Sequence, residues 1–117
     1  MVSTYNATPD DSGRVCENFH SAIELIGRRW SGAIIAAMLG GAQRACHIRE
    51  AIPGLSDRLL TERLRELEDE GIVVRSVTDD RPPAVHYELT ERGRALENVF
   101  SSLEQWSAEW SAANASA

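Results

Sequence analysis

Apolar residues spaced three and four positions apart predict a series of helices in the first two thirds of the chain. The spacing places them at residues 14–26, 30–39, 44–52 and 57–70, and glycine or proline directly follows each one. The second helix is almost wholly apolar, so we expect it at the centre of the domain. The third and fourth helices are separated by four residues that include Gly54, a pattern typical of a helix-turn-helix.

The fourth predicted helix carries an apolar stripe on one side and a polar face on the other. At 100° per residue, Leu60, Leu64 and Leu67 fall within roughly 60° of one another, which indicates a narrow buried stripe. Ser56 suits the N-cap, and Gly71 stands where a glycine commonly ends a helix. A leucine-anchored helix with arginines facing outward is suited to reading the major groove of DNA. The predicted base or backbone contacts are Ser56, Arg58, Thr61, Glu62 and Arg65.

The polar face also has a simpler interpretation, a solvated surface with an i,i+4 ion pair between Arg58 and Glu62. If the helix reads DNA, the Glu62 carboxylate can accept a hydrogen bond from cytosine N4 or orient an arginine. Arg63 lies closer to the leucine stripe, so we expect a structural role for it rather than a contact with DNA.

Two short β-branched segments follow, at residues 72–77 and 85–90, and they predict a β-hairpin. Apolar and polar residues alternate in the second segment, as in a half-buried strand. Arg81, at the hairpin tip, is predicted to enter a narrow minor groove, where arginine is favoured electrostatically. Alternatively, the neighbouring Asp79 and Asp80 neutralise its charge. The predicted fold class is mainly α-helical with a small β-hairpin, a winged helix-turn-helix.

A final helix is predicted over residues 91–110, again with apolar residues at steps of three and four. One small domain has little core left to cover two tryptophans on one stripe, so isologous dimerisation through the terminal helices is the economical explanation. We expect a domain over residues 13–112, a disordered arm over 1–12 and a frayed tail over 113–117. The predicted dimerisation residues are Phe19, Ile23, Leu96, Phe100, Leu103, Trp106 and Trp110.

Charge is unevenly distributed along the chain. The 117 residues include 12 basic and 18 acidic ones, and the net charge of −6 by itself argues against a nucleic-acid partner. Residues 44–65 nevertheless hold five arginines and three acidic residues, whereas residues 66–80 hold six acidic residues and one arginine. The acidity is therefore concentrated outside the predicted reading surface. Arg44 is a further predicted phosphate contact, and Arg28 and Arg29 either do the same or line the exit of the first helix.

No apolar run approaches the roughly 20 residues of a membrane span, and the N-terminus is polar and acidic. We therefore expect a cytoplasmic protein with neither signal peptide nor membrane anchor. Two cysteines do not make a disulfide framework, so we expect free thiols. The cysteines and histidines fit no compact zinc spacing. Cys16 and His20 share a helix face, but neither a third catalytic group nor a glycine-rich phosphate loop accompanies them. We predict no metal, no cofactor and no enzymatic activity.

Seven segments, in order, resemble the HxlR-type branch of the winged-helix transcriptional regulators, a relative of the MarR family. They are Cys16, LIGRRW at 25–30, AIPGLS at 51–56, LTERLRELE at 60–68, GIV at 71–73, Pro82-Pro83 and YELTERG at 87–93. The resemblance spans about residues 16–110. It implies a homodimeric DNA-binding regulator, and some members of the family use an N-terminal cysteine to sense oxidants or electrophiles.

Cys16 is the predicted sensing residue. It stands in the first turn of the first helix with Arg14 and His20 nearby in sequence, and these features favour the thiolate, the form that reacts. Alternatively, Cys16 is an ordinary small apolar residue on the stripe of that helix. The sequence leaves open whether Cys16 and Cys46 are close enough to form a bridge.

The sequence predicts a regulator that binds double-stranded DNA in a sequence-specific manner, a repressor acting as a homodimer on a pseudo-palindromic operator. We expect control either through oxidation or electrophiles at Cys16, or through a small apolar effector. That effector would bind between Trp30 and the last helix, beside Trp106 and Trp110. The alternative from another class is a winged helix that contacts proteins without DNA, which the net acidity favours.

Overall fold

Six helices and one antiparallel hairpin form residues 14–116, the part of the chain that the computed structural model describes, with side chains described through residue 111. In chain order they are α1 Glu17–Gly27, α2 Ser31–Leu39, α3 Ala45–Ala51, α4 Asp57–Asp69, β1 Val73–Val77, β2 Val85–Leu89, α5 Glu91–Arg94 and α6 Glu97–Ser116. The predicted fold class, mainly helical with a small hairpin, is confirmed. The predicted arm over 1–12 lies outside the described residues, and fraying over 113–117 stays a prediction.

The hydrophobic core forms around α2, as its nearly continuous apolar sequence predicts. Ile34 and Ile35 of α2 have no exposed surface, and Ile48 of α3 is equally buried. The leucine stripe of α4 and the first residues of the hairpin pack against them. The core therefore fixes α3 and α4, the two helices of the helix-turn-helix, against a common support.

Both ends of α4 are closed as the sequence predicts. The Ser56 hydroxyl oxygen accepts a hydrogen bond from the Leu59 N–H at 3.1 Å, which satisfies one free donor of the first turn. At the other end Gly71 has φ +76°, and its N–H and that of Ile72 donate to the carbonyls of Glu68 and Leu67. This is a Schellman motif, which requires a left-handed residue and therefore favours glycine.

The hairpin pairs β1 with β2 from Val73↔Leu89 to Val77↔Val85. Its second edge is partly covered, because the Tyr87 N–H donates to the Gln43 carbonyl at 2.8 Å. The predicted alternation is wrong at His86. This residue is half-buried, and its Nε2 is a buried atom without a hydrogen-bond partner among the described residues.

Two helix starts differ from the predictions. The first helix begins at Glu17, so Cys16 is its N-cap residue rather than a member of its first turn. The second begins at Ser31, because Trp30 adopts the left-handed conformation with φ 77°. That conformation is sterically costly for a residue with a side chain. Trp30 contacts the Arg29 guanidinium, whose carbon lies 5.0 Å from its ring centroid.

The predicted single helix over 91–110 is wrong, because the chain breaks it into α5 and α6. The Thr90 hydroxyl caps α5 by accepting from the Gly93 N–H at 3.1 Å. Leu96 then donates to Gly93, three residues back rather than four, and the α-helical register is lost there. Gly93 permits the close packing at this point, since an added Cβ would lie 2.4 Å from the Ile72 carbonyl oxygen.

The longest helix, α6, continues to Ser116, beyond the predicted end at residue 110. Among the described residues, no helix combines the length and the apolar character needed to cross a membrane.

Candidate DNA-binding surface

The two sides of α4 separate as the periodicity predicts. Leu60, Leu64 and Leu67 are 1–2% exposed, whereas Arg58, Thr61 and Arg65 all lie on the surface. The buried stripe fixes the rotation of the helix about its axis, because burying any other face would expose three leucines. The polar residues of α4 therefore face outward as one surface, and the hairpin begins four residues after the helix ends.

Four of the five predicted contact residues are already engaged in bonds of α4: Ser56 as its N-cap, and Arg58, Thr61 and Glu62 within the helix. The Arg58 Nε lies 3.1 Å from Glu62 Oε2, which is the i,i+4 pair that the simpler interpretation anticipates. The Thr61 hydroxyl donates to the Asp57 carbonyl at 2.9 Å. Thr61 thus offers its methyl group and an oxygen lone pair to an approaching ligand, and its proton is used within the helix.

The remaining predicted cations are free to contact a ligand. Arg44, Arg65 and Arg81 are exposed, and none of them forms an ion pair or side-chain hydrogen bond with a described residue. Arg44 immediately precedes α3, and Arg81 lies in the connection between β1 and β2. The helix-turn-helix and the tip of the hairpin thus each present a guanidinium without a partner among the described residues.

Arg63 has the structural role that the sequence predicts. Its side chain is 17% exposed, its Nε donates to the Arg29 carbonyl at 3.0 Å, and its Nη1 lies 3.3 Å from Glu66. Glu66 also pairs with Arg28 at 2.9 Å. Arg28, for which the sequence left a phosphate contact open, is therefore engaged with α4. These bonds attach the junction between α1 and α2 to the inner flank of α4.

One ion pair in the helix-turn-helix is not predicted by the spacing of residues in the sequence. Arg49 of α3 lies 3.1 Å from Asp57, the first residue of α4. Asp57 suits the positive end of the helix dipole, and Arg49 offsets a carboxylate that would otherwise repel a phosphate. The two residues are eight positions apart across a turn, so neither helical nor strand periodicity brings them together.

The outer faces of α1 and α6 expose many large apolar side chains. The predicted Phe19, Ile23, Leu103, Trp106 and Trp110 are 38–59% exposed. Monomeric proteins rarely leave large contiguous apolar patches in water. Val15, two residues before α1, and Val99 of α6 are similarly exposed. Neither is among the predicted dimerisation residues, although both continue the three-and-four spacing of apolar positions. We call these seven residues the terminal-helix surface.

Two of the predicted dimerisation residues instead belong to the protein's own core. Phe100 is 8% exposed, and Leu96 is partly buried against the core cluster. Phe100 lies on the flank of α6 that faces the domain, about 100° around the helix from the exposed Val99, and Leu96 lies in the break just before α6. Their packing holds α6 on the domain, and the residues left exposed are the ones on the outer stripe.

Cys16 and Cys46 are both free thiols. Cys16 is half-buried ahead of α1, and Cys46 is exposed near the start of α3. The His20 Nε2 lies 3.4 Å from Glu24 Oε1, one turn further along α1, and the His20 backbone N–H donates to the Cys16 carbonyl oxygen at 2.9 Å.

An apolar cleft of about 340 Å³ separates α6 from α1 and α2. Its lining includes Ile23, Ile26, Ala36, Phe100 and Leu103. The cleft lies in the general region predicted for a small apolar effector, although Trp30, Trp106 and Trp110 are not among the residues that line it.

Comparison with known proteins places the same architecture in a family. Residues 25–115 match a family model described as HxlR-like helix-turn-helix. The HTH-type transcriptional regulator YodB of Bacillus subtilis is 44% identical over 92 residues, which cover 79% of this chain and 82% of YodB. The reduced form of YodB superposes with a TM-score of 0.72 at 43% identity, covering 80% of this chain and 91% of that one.

Two further solved structures are similar along most of their length. The reduced form of the redox regulator HypR has a TM-score of 0.76 at 35% identity and covers 86% of this chain and 99% of HypR. A transcriptional regulator of the MarR family from Enterococcus faecalis has a TM-score of 0.75 at 30% identity, covering 98% and 100%. YodB has also been solved after diamide treatment and bound to a quinone.

Proposed function

Because this chain belongs to the HxlR-like helix-turn-helix family of transcriptional regulators, we propose that it is a sequence-specific DNA-binding repressor that acts as a homodimer. The observation that carries this proposal is the outward face of α4. Arg58 and Arg65 stand opposite a leucine stripe that fixes their direction, and a hairpin with Arg81 at its tip follows directly. A helix of this kind fits the major groove, and an arginine on a wing fits the minor groove beside it.

The net charge of −6 is compatible with DNA binding because several of the acids near α4 are paired. Asp57, Glu62 and Glu66 each contact an arginine, whereas Arg44, Arg65 and Arg81 have no partner among the described residues. The unpaired cations are available to phosphates. Neutralising phosphates releases counterions from DNA, so the affinity for operator is expected to fall steeply with added salt.

The terminal-helix surface supports the proposed homodimer. Two copies joined through it would present two α4 helices to one face of the duplex. Their half-sites are expected about one helical turn, roughly 34 Å, apart on a pseudo-palindromic operator. Repression is the expected outcome, since a dimer on such a site occludes a promoter.

A direct test is a gel shift with DNA from upstream of the chain's own gene, at two salt concentrations. A DNA-binding regulator shifts the fragment at low salt and loses affinity steeply at high salt. A winged helix that only contacts proteins leaves the fragment unshifted at both concentrations, and that result would remove DNA binding from the proposal.

Arg65→Ala is expected to lower specific DNA affinity by about 1–3 kcal/mol, because it removes an unpaired guanidinium from the centre of the reading face. Fluorescence anisotropy with a labelled operator measures the change. Arg94→Ala is the control, since it removes an exposed arginine from α5 and leaves α4 intact. Equal affinities of Arg65→Ala and the unaltered protein would exclude Arg65 from the reading set.

We further propose that oxidants or electrophiles release the repressor from DNA by modifying Cys16. YodB has been solved in a reduced, a diamide-treated and a quinone-bound form, and HypR in a reduced and an oxidized form. These structures support the proposal for a chain that is related to both proteins. Cys16 is half-buried at the start of α1, whose outer face belongs to the terminal-helix surface. A bulky adduct there would change how α1 packs in the dimer and hence the separation of the two α4 helices.

Cys16→Ser is expected to bind operator as the unaltered protein does and to remain bound after treatment with diamide or a quinone. Cys46→Ser is the matched control, and it should still be released. The readout is operator anisotropy before and after treatment. If Cys16→Ser is released as readily as the unaltered protein, the thiol mechanism fails, and the apolar cleft between α6 and α1 becomes the favoured effector site.

A further inference from the structure

We infer that Glu62 is a positioning residue that presents Arg58 for the recognition of guanine in each half-site. This inference rests on the proposed DNA-binding function and assigns a base to one position of α4. It starts from the Arg58–Glu62 contact, in which the guanidinium Nε lies 3.1 Å from one carboxylate oxygen.

The contact uses only one of the donors on the Arg58 guanidinium. Nε is taken by Glu62, and the two terminal amino groups bond to no side chain or carbonyl in the described part of the chain. The Arg58 side chain is 89% exposed, so these terminal donors face solvent. A guanidinium held at Nε can still present Nη1 and Nη2 together, as two parallel donors.

Two parallel donors match one base edge in the major groove better than any other. Guanine presents two adjacent acceptors, O6 and N7, whereas adenine presents one acceptor beside a donor. Arg58 is the second residue of α4, and residues near the N-terminus of a recognition helix are the ones that reach base edges. Its position and its free donors together point to guanine.

Glu62 contributes by limiting where that guanidinium goes. A long unrestrained arginine also reaches phosphates, which give affinity without sequence information. Glu62 is 44% exposed, and its contact with Nε holds the guanidinium over the face of α4. Its negative charge also repels phosphates, which lowers binding to DNA of arbitrary sequence. Glu62 therefore favours discrimination over general affinity.

The test uses the full chain and begins with selection of operators from a pool of random duplexes. The unaltered protein should select guanine at one position of each half-site, and Arg58→Ala should lose that preference. The guanine is then replaced by 7-deazaguanine, which lacks the N7 acceptor. The unaltered protein should lose several-fold in affinity, short of the roughly 150-fold upper value of a whole bidentate contact, because guanine O6 still accepts one of the two hydrogen bonds. Arg58→Ala should be insensitive to the replacement.

Glu62→Ala separates positioning from a merely structural role. It should reduce the 7-deazaguanine penalty while binding to unrelated DNA stays equal or becomes tighter, a combination that loss of folding would not produce. Glu62→Gln retains an acceptor oxygen without the charge and should keep more of the penalty than Glu62→Ala. Arg65→Ala is the matched control, because it should weaken operator binding and leave the penalty at this guanine unchanged.

The outcomes distinguish the inference from the proposed function beneath it. If no duplex is enriched by the unaltered protein, sequence-specific binding is wrong and the inference falls with it. The inference alone is overturned if an operator is enriched but Arg58→Ala still selects guanine at the same positions. It is also overturned if both Glu62 variants keep the full 7-deazaguanine penalty. If Arg65→Ala removes the 7-deazaguanine penalty and Arg58→Ala does not, the guanine is contacted by Arg65.

Discussion

Trp106→Asp is expected to convert the proposed homodimer to a monomer of 12.9 kDa. Trp106 is 57% exposed on the terminal-helix surface, between Leu103 and Trp110 along α6. An isologous interface contains every substitution twice, so two carboxylates would be buried in it without partners. Operator affinity should then fall by roughly 100-fold or more, because each half-site is bound separately. Light scattering after gel filtration measures the mass, and anisotropy the affinity.

Ala108→Asp is the matched control for this substitution. Ala108 is exposed on the same helix, about 160° around its axis from Trp106, and so it points away from the apolar stripe. This variant should remain a dimer with unchanged operator affinity. A Trp106→Asp protein that still has twice the monomer mass would show that the chains associate elsewhere, and the terminal-helix surface would need another partner.

Leu64→Ala is expected to destabilise the fold by about 2–5 kcal/mol, the usual cost of emptying a leucine site in a core. Leu64 is 2% exposed at the middle of the leucine stripe, against the wholly buried Ile34 and Ile35 of α2. The free energy of unfolding comes from urea denaturation followed by circular dichroism. At temperatures where the variant remains folded, its operator affinity should be close to that of the unaltered protein.

Arg65→Ala gives the complementary result from the next residue. It removes an exposed side chain without a partner among the described residues, so its unfolding free energy should change by less than about 0.5 kcal/mol while its DNA affinity falls. A Leu64→Ala protein as stable as the original would mean that the stripe does not fix the rotation of α4. The outward direction of Arg58 and Arg65 would then lack its physical cause.

Much of the reading helix is predictable because its determinants are local. Ser56 caps the first turn and Gly71 closes the last through contacts that span three to five residues. The leucine stripe and the opposing arginines follow from the period of the helix alone. The terminal helices were less predictable. Periodicity places Phe100 and Trp106 on one apolar face, but it does not state how α6 lies on the domain.

The sequence by itself determined the order of helices, turn and hairpin, the stripe that anchors α4, and which of its arginines stand opposite. These features depend on residues a few positions apart, so a fixed helical or strand period links them directly. Only the tertiary structure decided that Arg63 holds the Arg29 carbonyl, that Arg49 pairs with Asp57, and that Phe100 is buried while Trp106 is exposed. Those outcomes depend on the angles at which separate elements pack, and sequence spacing carries no information about these angles.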